Sequence, residues 1–238
     1  MSIATPPTGP GPLLALATDR AGRRAVPWLA APLRTAERVV EISPGGDVLA
    51  GEFAPGRWTG LAVDGSGSGG PGPVRVRADA GELPLRSRSV DGLALLLVLP
   101  TLPDVDAVFA ELRRVLRPGG MLVVGVPSVA GGSWAERSTA RLLRPVHRAW
   151  PHRSALDSAG WLLAAADFAV MGDDRVGFTL PIPDADAALA LAERLAPARL
   201  WPPALPEDVR AGAAAGLVGR AGPEQVLPVP MRRLVARR

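Results

Sequence analysis

The residues best suited to chemistry in this 238-residue chain lie at the ends of short apolar runs. Arg38 to Asp47 reads RVVEISPGGD, an apolar run carrying the acid Glu41 and then a turn in which Ser43, Pro44, Gly45 and Gly46 present little side chain. Such a turn lets the backbone approach a ligand closely. Trp58 to Asp64, WTGLAVD, ends on a second acid, whose two carboxylate oxygens can accept hydrogen bonds. Asp79 and Ala80 open a loop that runs on through Gly81 to Pro84. Each has a bland reading when taken singly: a Gly-Gly turn follows many strands, and Asp64 and Asp79 suit ordinary surface loops.

General-base chemistry would draw on His147 or His152, the two histidines of the chain. Either titrates near neutrality, and Trp134 and Trp150 could line a pocket beside them for an apolar or aromatic acceptor. Neither histidine has an identifiable carboxylate or nucleophile partner in sequence, so a surface histidine is the simpler reading and no catalytic residue is assigned. With no cysteine, no HExxH and only these two histidines near Asp157, no metal site and no disulfide is expected. All 27 basic residues are arginine, set among 23 acidic ones, so the net charge of +4 reflects arginine in place of lysine more than a cationic face. Nucleic acid is a poor fit to that interleaved pattern. Arg232, Arg233, Arg237 and Arg238 form the one local cluster and read as a solvated C-terminal end, while Asp174 reads as part of an exposed MGDDR turn. No apolar run reaches the roughly 18 to 20 residues of a membrane span, and no leader pattern opens the chain, so a cytoplasmic protein is expected.

These residues need elements to hold them, and the stretch Ser89 to Pro127 supplies the pattern. Leu93 to Leu99 is an unbroken apolar run suited to a strand buried on both faces. Val105, Val108, Phe109, Leu112, Val115 and Leu116 then fall at helical spacing, with Asp104 as N-cap and Pro118-Gly119-Gly120 as the stop. Met121 to Val126 is a second strand, which completes the crossover of a parallel sheet.

The remaining chain alternates in the same way. Residues 1–12 read as a flexible tail, and Pro27 and Pro32 break Leu13 to Arg38 into short helices. Val39 opens the first strand, Trp58 to Asp64 is the second and Val74 to Arg77 the third. Gly65 to Pro73, GSGSGGPGP, cannot hold a helix between the last two. A short helix over Ser154 to Ala159 capped by Gly160, a strand over Leu162 to Val170, helices over Asp184 to Leu195 and Pro206 to Leu217, and a last strand over Val226 to Ala236 follow. Residues 13–238 are expected to form one domain, capped by 131–152 and 184–217.

The order SVDGLALLLVLPTLPDVDAVFAELRRVLRPGGMLVVGVP resembles the middle of class I S-adenosylmethionine-dependent methyltransferases, especially the small-molecule group. The resemblance runs over roughly residues 39 to 172. It implies an α/β fold, a doubly wound, mostly parallel seven-stranded sheet with helices on both faces and an antiparallel last strand, S-adenosylmethionine as cofactor, and a small-molecule acceptor. Matched residue by residue, Glu41 keeps the acidic position, Ser43 stands for the first glycine of the cofactor turn, Gly45 is its middle glycine and Asp47 stands for the third. The match also puts Asp64 where the ribose hydroxyls are held, and Asp79 with the backbone of Ala80 at the adenine amino group. Leu95, Leu96 and Pro100 replace the polar or aromatic residues that relatives often carry after the fourth strand. A second possibility stays open, a methyltransferase-like fold without cofactor that serves as a binding or regulatory partner. The changed turn, the apolar Leu95 and Leu96 and the segment without a helix favour it.

Overall fold

The computed structural model describes residues 10–63, 75–128 and 134–238. Helices α1 (Pro10–Leu16) and α2 (Ala25–Ala30) precede strands β1 (Val39–Ser43) and β2 (Trp58–Ala62). Next come β3 (Arg75–Arg77), β4 (Val90–Leu96), α3 (Val105–Val115) and β5 (Leu116–Pro127). Four short helices, α4 (Trp134–Leu142), α5 (Arg144–Arg148), α6 (Ser154–Asp157) and α7 (Ala159–Ala165), lead to β6 (Ala169–Pro181). Finally α8 (Ala185–Leu195) and α9 (Glu207–Val218) lead to β7 (Val226–Arg237).

All seven strands join one sheet in the order β3-β2-β1-β4-β5-β7-β6. Strands β1 to β5 pair in parallel, and β7 lies antiparallel between β5 and β6. This is the doubly wound, mostly parallel sheet that the resemblance implies. Alternation of side chains divides the apolar residues between the two faces. Ala94, Leu96 and Val123 join one core with α1, α2, α8 and α9, whereas Leu93, Leu95, Leu122 and Val124 join the other with α3, α6 and α7. Burial on both faces is the reason these strands read as continuous apolar runs. The predicted cap holds at Asp104, which accepts from the Ala107 amide at 2.9 Å, and at the start of α8 it is Asp184, not Asp186, that caps, accepting from the Ala187 amide at 2.8 Å.

Several boundaries differ from the sequence reading. Strand β4 starts earlier and stops at Leu96, because Leu97 takes a left-handed conformation (φ 64°) and a 3-10 turn follows over Leu99–Thr101. Helix α3 stops at Val115, ahead of the Pro-Gly-Gly phrase. Leu116 is already extended and pairs with Val90, so residues 117–120 bulge out before Met121 meets Gly92. Leu162 to Ala165 belong to helix α7 rather than to a strand, since Leu163 packs on the α3 face of the sheet. The tail expected over residues 1–12 is already helix at Pro10, with Pro10 and Gly11 buried. Gly65 to Pro73 lies outside the described residues. Among the described residues no helix is long and apolar enough to cross a membrane.

The C-terminal arginines are the largest correction. Arg232 is 5% exposed and binds the Asp173 carboxylate through two nitrogens, at 2.7 and 2.6 Å. Its third nitrogen donates to the carbonyls of Leu156 and Asp157 at 2.7 and 2.9 Å, tying the end of α6 to the β6–β7 pair. Asp174 lies in β6, not in a turn, and pairs with Arg233 at 2.7 Å; Arg233 also stacks over the Trp28 ring at 4.5 Å. Removing Arg232 strands a carboxylate and two carbonyls, so Arg232→Ala should cost at least about 2 kcal/mol in urea unfolding. Exposed Arg237→Ala should cost less than about 0.5 kcal/mol. The Arg232 bond holds Asp173 below its ordinary pKa, so this stabilisation is present above the unfolded value near 3.8 and is lost as pH falls through the lower folded value.

Candidate functional site

The strand order changes direction between β1 and β4, which is where open α/β sheets place a ligand crevice. A crevice of about 490 Å³ lies there, within the range of small-molecule sites. Its wall comes from the C-terminal ends of four neighbouring strands: Pro44 after β1, Val63 after β2, Ala78 to Ala80 after β3, and Val98 with Thr101 to Pro103 after β4. Arg77 and Arg199 complete the rim. Two of its borders are backbone positions held left-handed without glycine, Leu97 just before Val98 and Arg199 itself (φ 56°). Such strain persists only where the surroundings impose it.

Behind Pro44, the acid at position 41 is bound by the turn and by β2. Glu41 is fully buried, and its carboxylate accepts from the Ser43 hydroxyl at 2.5 Å, the Val48 and Leu49 amides at 2.7 and 2.8 Å, and Trp58 Nε1 at 3.1 Å. Burial pushes the Glu41 carboxyl above the usual range, against the pull of hydrogen bonds from Ser43, Leu49, Val48 and Trp58. Ser43 in turn accepts from the Gly46 amide at 2.9 Å. Glu41 therefore shapes the turn from inside. Glu41, Ser43 and Gly45 all sit behind the crevice wall and not in it.

Two glycines make this packing feasible. A Cβ on Gly60 would fall 1.9 Å from the Gly46 carbonyl oxygen, so the turn rests directly on the β2 backbone. A Cβ on Gly11 would fall 2.6 Å from the Asp47 carbonyl oxygen, so α1 covers the turn from the other side. The sequence signals Gly60 only as a glycine inside a strand, and Gly11 not at all.

The loop after β3 does reach the crevice. Asp79 is exposed at the wall, accepts from the Gly81 amide at 2.8 Å, and stands beside buried Ala80. Helix α3 fixes this loop through residues that its amphipathic pattern merely assigns to the polar face. Glu111 accepts from the Leu83 amide at 2.8 Å, and Arg114 binds Glu111 at 2.6 Å while donating to the carbonyls of Leu83 and Leu85 at 3.2 and 2.8 Å. Thr101 and Arg199 are further wall residues that the sequence reading misses; Arg199 arrives from the far side of α8, with no local signal. Asp64 lies outside the described residues. His152 is exposed, Trp150 is buried, and His147 is half-buried at the end of β5, away from the crevice wall; nothing is described of the Trp134 side chain. Among the described residues no group of acids and histidines is placed to hold a metal ion.

The fold is a doubly wound sheet with a crevice at the point where its strand order reverses. Residues 33–124 match the family described as a methyltransferase domain. A malonyl-(acyl-carrier protein) O-methyltransferase of Alcanivorax borkumensis is 36% identical over 118 residues, which is 50% of this chain but 38% of that protein. The chain thus spans well under half the length of that relative. Among solved structures, a protein of Anaeromyxobacter dehalogenans provisionally named a type II methyltransferase superposes with TM-score 0.56 at 20% identity, over 89% of this chain and 93% of its own. The 4+2-cyclase SpnF gives TM-score 0.56 at 18% identity, over 90% and 79%. Geranyl diphosphate C-methyltransferase of Streptomyces coelicolor, solved with S-adenosyl-L-homocysteine, gives 0.53 at 11%, over 90% and 74%. Residues 33–124 are thus similar to a methyltransferase domain, and the fold of the chain is shared with these structures.

Two outcomes follow from this geometry. Glu41→Ala leaves several buried donors without an acceptor and should destabilise the chain by about 3 kcal/mol or more in denaturant unfolding. Arg114 holds Glu111 below its ordinary pKa, so the brace on the loop is present above the unfolded value near 4.5 and fails as pH falls through the lower folded value. Amide exchange in residues 79–85 should accelerate over that acid window in the parent, and at neutral pH in Arg114→Ala.

Proposed function

We propose that the chain is an S-adenosylmethionine-dependent methyltransferase acting on a small molecule. The observation that carries this reading is the crevice formed at four adjacent strand ends, with Asp79 and Ala80 in its wall, inside a domain matched to a methyltransferase family. The residues fit the adenosine end of that cofactor: Asp79 can accept from an exocyclic amine, the Ala80 backbone can bond a ring nitrogen, and Val63, Val98 and Leu102 offer apolar surface to a purine. Asp64 follows Val63 directly in the chain and is proposed to hold the ribose diol. When bound, the cofactor supplies an electrophilic methyl group. The chain's own contribution is to hold acceptor and cofactor in line and exclude water, which needs no dedicated base when the acceptor is already nucleophilic.

A cofactor-free binding partner is the second reading, and one observation favours it. The whole of Ser43 to Gly46 is buried beneath α1, and Leu95 and Leu96 are fully buried at the neighbouring strand end. Calorimetric titration with S-adenosylhomocysteine separates the two. Micromolar binding is expected, whereas no heat and no thermal shift at millimolar ligand would overturn the methyltransferase reading. Asp64→Ala and Asp79→Ala should each weaken that binding by at least about tenfold, since each removes hydrogen bonds to a charged acceptor. Exposed Asp106→Ala, on α3, should leave it unchanged.

A further inference from the structure

Where β5 leaves the sheet through Pro127 and Ser128, two adjoining cavities share those residues and His147. One, of about 20 Å³, is apolar and runs toward Leu200 and Trp201. The other, of about 130 Å³, is bounded by Arg153, Asp157 and Arg175 as well. Helix α5 thus brings an imidazole, the segment before α6 a guanidinium, and strand β6 a second guanidinium to one small space. Among the described residues neither Arg153 nor Arg175 forms an ion pair. Of the two acids just before Arg175 in sequence, Asp174 pairs with Arg233, and Asp173, which feels the Arg175 charge, is bound by Arg232. Asp157 is the one carboxylate in the wall. Two guanidinium groups beside one cavity repel each other until an anion lies between them, and their planar donors suit the oxygens of a carboxylate or phosphate.

We propose that this cavity binds an anionic group, a carboxylate or a phosphate ester, held by Arg153 and Arg175 against His147. That the group is the head of the methyl acceptor rests on the methyltransferase reading; the anion site itself does not. The space takes one such group and not a whole acceptor, which leaves the rest of the molecule outside it.

Burial first, and then the charge of Arg153, hold the His147 imidazole below its ordinary pKa, so it is neutral at physiological pH. The charged groups that face it are Arg153 and Asp157 beside α6 and Arg175 from β6, with Arg144 and Arg148 exposed on its own helix; the α8 and β7 walls are apolar. An anion between Arg153 and the ring screens that guanidinium and favours the imidazolium. Anion binding and protonation of His147 are therefore coupled, each strengthening the other.

Proton NMR of the full chain tests this, because it has two histidines and exposed His152 serves as the internal reference. Sodium phosphate and, separately, sodium acetate are titrated without cofactor. The site predicts a saturable shift of the His147 signal, an apparent pKa raised by about half a unit or more, and no such change at His152. Arg153→Gln and Arg175→Gln should each weaken the effect by roughly tenfold; both residues are exposed, so the fold is kept. The tighter anion names the group. A shift shared by both histidines without saturation, or equal affinity in parent and variants, would overturn the site. S-adenosylhomocysteine added to the same samples reads the crevice separately: phosphate binding without it keeps this site and removes the cofactor reading, and the reverse removes this site alone.

Discussion

One buried carboxylate sets the geometry of the ligand end of this domain. Glu41 gathers donors from β2, from its own turn and from the first residues beyond it, so three segments meet on two oxygen atoms. A group of that kind is costly inside a protein unless its lone pairs are taken up, and here four donors take them. Pro44 stands in the crevice wall because the turn that carries it is anchored this way. The close approach of Gly46 to Gly60 belongs to the same constraint, for any side chain at Gly60 would lift the turn from β2 and carry Pro44 with it.

Arginine does elsewhere what Glu41 does here. A guanidinium has five donors in a fixed plane, so one side chain can bind a carboxylate and still reach backbone carbonyls of another segment. Arg114 does so for the loop after β3, Arg232 for the end of α6, and Arg233 for Asp174 together with the Trp28 carbonyl. Arg38 reaches the Ser89 carbonyl across β1 and β4. A lysine, with one compact ammonium, could not bridge these places in the same way. The composition bias of the chain has thus become part of how its segments are joined, including the exposed edge strand β6, where Asp173, Asp174, Arg175 and an irregular register also discourage pairing with another sheet.

The fold is shared by proteins named for different reactions, a cyclase among them, so it bounds the chemistry without choosing it. Choice lies in the crevice. One side of it has an exposed acid, a backbone edge and apolar surface, whereas the glycine turn beside it is sealed between β2 and α1. Whatever enters the crevice meets a wall that is firm on one side and covered on the other.

Apart from the antiparallel last strand, which only the family resemblance implied, the sequence by itself determined the strand-helix-strand centre with its parallel crossover, the cap at Asp104 and a helix starting near Asp184 or Asp186. Those features are local or periodic: apolar runs, helical spacing, and residues that start or stop a helix. Asp79 and Ala80 were marked through the family resemblance, which rests on the residues around them in the chain. Tertiary structure alone decided that Glu41 points into the core, that Arg232 is a buried clamp and not a solvated end, that Leu162 continues a helix, and that Arg199 joins a wall built from residues far from it in sequence. The reason is the same in each case: the direction of a polar side chain depends on which distant donors or carbonyls arrive beside it, and spacing along one chain carries no record of that.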